Sequence, residues 1–190
     1  MHTGRLVLTP QDPFYLPESI DKIIEQLRGI QFCSARVEGL DGQHYLLGDR
    51  FMQLVSFMGC SPFIHLEPTA DGQPFCHLII DGPYSQPVFL KGKNTGSPRC
   101  EACRKRIPHW EALIEQWQDD PEHFQASCPH CAHQQNPATY NWRQSAGNGR
   151  LFLCIENIFP NEAIPSPELL KALESSSATT IPWRYFYIQD

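Results

Sequence analysis

Apolar positions along the chain change period several times, and each change marks an element. RLVLTP (5–10) has the length and character of a short strand, stopped by Pro10 and Pro13. Ile20, Ile23, Ile24 and Leu27 then recur at i, i+3, i+4 and i+7, the apolar stripe of a surface helix. Pro17 suits its first turn, and Gly29 can close it as the residue after the C-cap. From 31 to 92 the punctuation turns strand-like. Gly39, Asp41-Gly42, Gly48, Asp71-Gly72 and Asp81-Gly82-Pro83 mark turns between FCSARVEG, HYLLGDRF, QLVSFMG, FIHLEP, CHLIID and PVFLKG. This predicts an antiparallel meander of four to six strands.

KNTGSP (93–98) has the composition of a linker, and QSAGNG (144–149) that of a second flexible joint. Between them the chain changes character. Trp110, Leu113, Ile114 and Trp117 restore the helical spacing, and Asp119-Asp120-Pro121 ends it. After 150 the earlier pattern resumes. RLFLCIENI is a strand. Ser166-Pro167-Glu168 begins a helix, with Ser as N-cap, Pro at the first position and Glu at the positive dipole end. Leu169, Leu170 and Leu173 face inward, and PWRYFYIQ (182–189) is a final aromatic strand. These elements predict an α+β fold, with helices on one face of a largely antiparallel sheet. Residues 1–97 and 144–190 would form the sheet domain, and 98–143 an inserted subdomain.

Composition narrows the function. The 190 residues carry 41% hydrophobic and 19% charged side chains, which suits a globular chain. A formal net charge of −6 argues against coating DNA, because no bulk positive field exists to release counterions. The N-terminus lacks the apolar core and small-residue cleavage site of a signal peptide, and FMQLVSFM (51–58) is too short to span a bilayer. Four of the eight cysteines stand alone in apolar contexts, Cys33, Cys60, Cys76 and Cys154. Buried free thiols of this kind belong to a reducing compartment, so a soluble, cytoplasmic protein is expected.

The other four cysteines form Cys100-x2-Cys103 and Cys128-x2-Cys131. Each pair brings two thiolates to one metal from a tight loop, and two pairs supply the tetrahedral set zinc prefers. The separation of the pairs is longer than in many zinc ribbons, and the intervening helix accounts for the excess. RCEACRKRI and SCPHCAHQQ resemble the knuckles of zinc-ribbon and rubredoxin-like proteins, the second more closely because Pro129 lies inside the pair. The resemblance implies one closed four-cysteine site whose zinc is structural. Two features depart from the pattern. Arg104 and Ala132 stand where glycine often follows the second cysteine, and a helix rather than a hairpin links the pairs. His130, between the ligands of the second pair, and His133, just after them, are the flanking side chains that could replace a thiolate.

Weaker constellations surround this motif. Lys91, Lys93, Arg99, Arg104, Lys105 and Arg106 gather near the first knuckle, with Trp110, Trp117, Tyr140 and Trp142 close in sequence. Cations and aromatic platforms are the ingredients of single-stranded nucleic-acid binding, with Arg99, Arg104, Lys105 and Arg106 the candidate contacts. Against this, 98–143 holds five basic and six acidic side chains, and the Trp spacing suits a small core. His65 and His77, with Cys60, Glu67, Cys76 and Glu156, could build a Cys–His nucleophile or second metal site on the sheet. Glu156 in an apolar strand is otherwise expected to pair with an arginine. No catalytic signature is present, so no catalytic residue is assigned. The expected function is a protein-interaction module, with nucleic-acid binding and a pocket enzyme near His65 and His77 as alternatives. Oligomeric state is left open.

Overall fold

The apolar runs that open and close the chain lie side by side. The structure, a computed structural model, describes residues 4–58, 64–69, 72–159, 162–175 and 180–189. In chain order its elements are β1 (Gly4–Pro10), α1 (Ile20–Gly29), β2 (Cys33–Arg36), β3 (Gln43–Leu47), α2 (Phe51–Leu54), β4 (Val55–Phe57), β5 (His77–Asp81), β6 (Val88–Lys91), α3 (Trp110–Asp119), β7 (Ala126–Ser127), β8 (Gln134–Gln135), a 3-10 turn (Pro137–Thr139), β9 (Ala146–Gly149), β10 (Phe152–Ile158), β11 (Ala163–Pro165), α4 (Pro167–Glu174) and β12 (Trp183–Gln189). Six strands form one sheet in the order β12-β1-β10-β5-β3-β2, antiparallel throughout. The fold is therefore α+β, as the pattern of elements implies.

Alternation along the central strands divides the core in two. Leu6 and Leu8 of β1, Leu153 and Ile155 of β10 and Leu78 and Ile80 of β5 pack on one face. Ile23, Ile24 and Leu27 of α1 and Leu169 and Leu173 of α4 cover them. Val7, Phe152, Cys154, Phe186 and Ile188 point the other way and meet Val88 and Leu90 of β6. Ser19 caps α1 through a 3.4 Å bond from Lys22 N, and Ser166 caps α4 through a 3.2 Å bond from Leu169 N.

Several expectations fail in instructive ways. The region 31–92 is no meander: β5 pairs with β10 and β3, and only β2 and β3 are neighbours in both chain and sheet. FMQL forms the short helix α2, and VSF pairs with β11 outside the main sheet. A short apolar run fits a buried helical turn as well as a strand. Residues 64–69 form no strand. The helix α1 closes on Gln31, at φ 59, rather than on Gly29. There Gly48 lets the chain approach: a Cβ on it would lie 2.3 Å from Gln31 O.

The two presumed flexible segments are also ordered. β9, inside QSAGNG, is buried and pairs with β6. Its glycines serve close approach, since a Cβ on Gly147 would lie 2.3 Å from the Phe186 ring. In KNTGSP, Asn94 bonds the backbone of Tyr187 and Gln189, and Thr95 donates to Ser145 O. The β6/β9 ribbon thus lies on the sheet face opposite the helices and carries the cysteine-rich segment.

Candidate metal centre and the surface around it

Each C-x-x-C pair sits in a tight turn of the same construction. In the first, Cys100 N donates to Lys105 O at 3.0 Å and Arg104 N to Cys100 O at 3.0 Å. In the second, Cys128 N donates to His133 O at 2.8 Å and Ala132 N to Cys128 O at 2.9 Å. Arg104 and Ala132 both adopt φ 58, the left-handed conformation that favours glycine. The departure from glycine therefore leaves the knuckle geometry intact, at a cost of about 1 kcal/mol each. The second turn crowns the β7/β8 hairpin, and the first is closed by an antiparallel bridge between Arg99 and Arg106. Gln135 joins them, its Oε1 accepting from Glu101 N at 3.0 Å.

The four thiols converge. All four Sγ atoms lie within 4.8 Å of one another. Cys100 and Cys131 are 3.8 Å apart, as are Cys103 and Cys128. That is too long for a disulfide, about 2.05 Å. It matches the edge of a tetrahedron with metal–sulfur bonds of about 2.3 Å, an edge of about 3.8 Å. The cluster is thus positioned to bind one metal ion. The backbone supports negative charge there. Against the effect of desolvation, N–H groups of His130 and Cys131, with the thiols of Cys131 and Cys100, pull the Cys128 pKa down. Cys131, although its sulfur accepts from His133 N–H, is pushed up by desolvation and by the neighbouring sulfurs. His130 is engaged elsewhere, its Nε2 lying 3.0 Å from Arg106 O. His133 is exposed, and neither histidine belongs to the cluster.

Behind the thiols lies a small core of its own. Cys100, Cys128, Ile107, Trp110, Ile114, Trp117, Tyr140 and Trp142 are all buried together. Trp142 packs against Phe89 of β6 with tilted rings and against Trp110 edge-on, with centroids 4.7 and 4.9 Å away. Trp117 donates to Pro121 O at 3.0 Å. The tryptophans are core, and Lys91 lies 5.5 Å over the Trp110 ring rather than beside an open platform.

Basic side chains do gather outside this core. Arg104, Lys105 and Arg106 are exposed, and Arg99 is half-buried with Nη1 donating to Arg104 O at 2.7 Å. Arg99, Arg104 and Arg143 line a cleft of about 510 Å³ that reaches Cys100. Arg99, Arg106 and Arg143 line an adjoining one of about 250 Å³. Arg143 was not legible as part of this group, because it joins the others only through the Arg99–Asn141 bridge.

The histidine constellation assembles differently from its expectation. His77 is buried in β5, while His65 is exposed in an irregular segment. The backbone carbonyl of His65 accepts from Cys76 N, the residue before His77. The ring partner of His77 is His44, with Nδ1 of His44 3.0 Å from Nε2 of His77. Phe75 also stacks on the His77 ring, with centroids 4.6 Å apart. Burial lowers the His77 pKa, against the carbonyl of Phe75, and His44 lowers it further. Cys76 belongs to the helix-side core, and burial, aided by Glu156, raises its thiol pKa far above the ordinary range. Its side chain is fully enclosed in that core. Glu67 is exposed, Glu156 lies 3.6 Å from Arg5 as an ion pair, and Cys60 lies outside the described residues. His44 escaped the sequence reading because its position opposite Ile79 depends on strand register.

Comparison of the chain with family models, curated proteins and solved structures finds no match in any of the three. Among the described residues, no helix is long and apolar enough to cross a membrane.

Proposed function

We propose that the protein is a non-catalytic binding module, in which one structural zinc ion holds the inserted subdomain 98–143 in shape for a protein partner. The observation that carries this reading is the closed set of four thiols. Four sulfurs at tetrahedral separations leave no open position for water or substrate. Cys100, Cys103, Cys128 and Cys131 are the ligands. Zinc is favoured over iron because it commonly fills closed four-cysteine knuckles and brings no redox chemistry. The separate buried cluster behind the thiols supports treating 98–143 as a subdomain on a sheet domain of 1–97 and 144–190. The free state of the described cysteines supports a cytoplasmic setting.

Elemental analysis of untagged protein tests the metal. One zinc per chain, lost in Cys100→Ser/Cys128→Ser, is expected; stoichiometric iron, or no metal, overturns the assignment. A photo-crosslinking side chain at exposed Glu101 or His133 tests the partner. Adducts to a discrete protein, unaffected by nuclease and lost when 98–143 is replaced by a short linker, are expected. Absence of protein adducts refutes the interaction role.

One observation favours a second reading. The clefts shared by Arg99 and Arg143, flanked by Arg104 and Arg106, form a local cationic surface suited to nucleic acid, with Lys105 exposed beside it. Binding would then weaken steeply with salt and fail in Arg104→Glu. Salt-insensitive binding, or none, removes this alternative.

A further inference from the structure

The edge strand β12 borders a cleft of about 320 Å³, walled on the far side by Tyr140–Gln144. Its position between the sheet and the tryptophan core is a common one for ligand sites, and its size is within their range. Tyr140, Trp142, Trp183 and Tyr185 make the walls aromatic, and Leu170 of α4 adds an aliphatic surface. Arg143 and Gln144, at φ 50 and 62, turn the chain sharply at its rim.

Two polar atoms of the lining residues have no use in the fold. The indole Nε1 of Trp142 and the guanidinium Nε of Arg184 are buried and lack any hydrogen-bond partner among the described residues. The Arg184 guanidinium makes its bonds through Nη2, to Asn148 O at 2.8 Å and Asn148 Oδ1 at 2.7 Å. Both acceptors are neutral. No described carboxylate forms an ion pair with Arg184, and desolvation lowers its pKa. A half-buried cation whose only described partners are neutral, and a buried N–H without an acceptor, both forfeit hydration that the fold only partly replaces.

The backbone adds to this. Tyr187 N donates to Gln144 O at 2.8 Å, and Gln189 N to Asn94 Oδ1 at 2.9 Å, so odd-numbered residues of β12 turn outward from the sheet. By the same alternation Tyr185 turns its N–H toward the cleft side.

We propose that this cleft binds a small organic carboxylate with a flat apolar body, and that small shifts of the Trp142 and Arg184 side chains open Nε1 and Nε, both covered in this structure, to its oxygens. The aromatic walls take the body, and Arg184 supplies the counter-charge. The site is distinct from the thiol cluster, and its occupancy stands independently of the protein-partner reading.

The test is titration of the metal-loaded full chain with benzoate, phenylacetate, phenyl phosphate and neutral benzamide, followed through the indole N–H resonances. Trp142→Phe assigns the Trp142 signal. Saturable movement of that signal with either carboxylate at millimolar concentration, and none with benzamide, is expected. Arg184→Gln, which keeps a donor for Asn148, should weaken binding by about tenfold or more, the loss expected for a hydrogen bond to a charged group. Trp142→Phe, which keeps the ring, should weaken binding several-fold as read by the Trp183 indole. An unmoved Trp142 signal, an equal response to benzamide, or full binding in both variants overturns the site and leaves water on these donors. Preference for phenyl phosphate overturns the carboxylate class.

Discussion

The helices α1 and α3 are each ten residues long and each bury one apolar stripe, yet they are secured in different ways. Around α1, local chemistry and tertiary packing agree. Ser19 caps it, and Ile23, Ile24 and Leu27 enter a core shared with the central sheet strands and α4. Around α3 the local terms are poor. His109 begins it at φ 52 with no side-chain cap, and its buried face meets Trp142, Tyr140 and, from the β6/β9 ribbon, Phe89 rather than the six-stranded sheet. A helix of this length is marginal by itself. The sheet region is therefore held by burial, whereas the α3 region rests on a few large rings beside a thiol cluster positioned to bind a metal.

Removing the metal gives the widest separation of the two. Structural zinc contributes about 10–16 kcal/mol of binding free energy in small Cys-ligand peptides. With a chelator, or in Cys100→Ser/Cys128→Ser, amides of α3 should lose hydrogen-exchange protection while those of β1, β5 and β10 keep it. Loss of protection throughout would break the comparison. Truncation of one buried side chain in each region comes next. Leu27→Ala should cost the sheet about 2–5 kcal/mol, with or without metal. Trp117→Ala, at about 3–5 kcal/mol, should instead be seen as weakened metal retention and an early local transition.

A smaller change should couple the regions. Gly147→Ala forces a methyl group against Phe186 and should cost about 1–3 kcal/mol, shifting both the global melt and the protection of α3. An effect confined to one region would show that the ribbon does not transmit strain. The helix starts give the smallest effects. Ser19→Ala should lose about 1 kcal/mol from the global unfolding free energy. His109→Gly should gain about 1 kcal/mol, seen only as tighter metal retention, because it relieves a left-handed non-glycine residue.

The same contrast explains what was readable beforehand. β1, α1, β10, α4 and β12 follow from strong periodicity, and for α4 also from its Ser166 cap, since their packing partners merely continue a local preference; the Ser19 cap of α1 emerged only in the structure. The knuckles were equally plain, because thiolate spacing is a covalent constraint. Strand order was not, since β10 enters between β1 and β5 through contacts far apart in sequence. Nor was the β6/β9 ribbon, whose glycines look like flexibility until Phe186 is found against Gly147. The His44–His77 contact and the convergence of Arg143 with Arg99 depend on register and bridging, which no local pattern encodes.

The ribbon pairs Lys91 with Ala146, and so bridges a chain excursion of roughly fifty residues whose ends would be costly to bring together at random. A segment that closed around an ion at its four thiols would bring those ends close without help from the sheet. The remaining chain then has a short detour rather than a long loop to close. Metal supply during synthesis would set the folding rate of the sheet as well as the shape of the segment the ribbon carries, so starvation for the ion should slow assembly even of strands that never touch it.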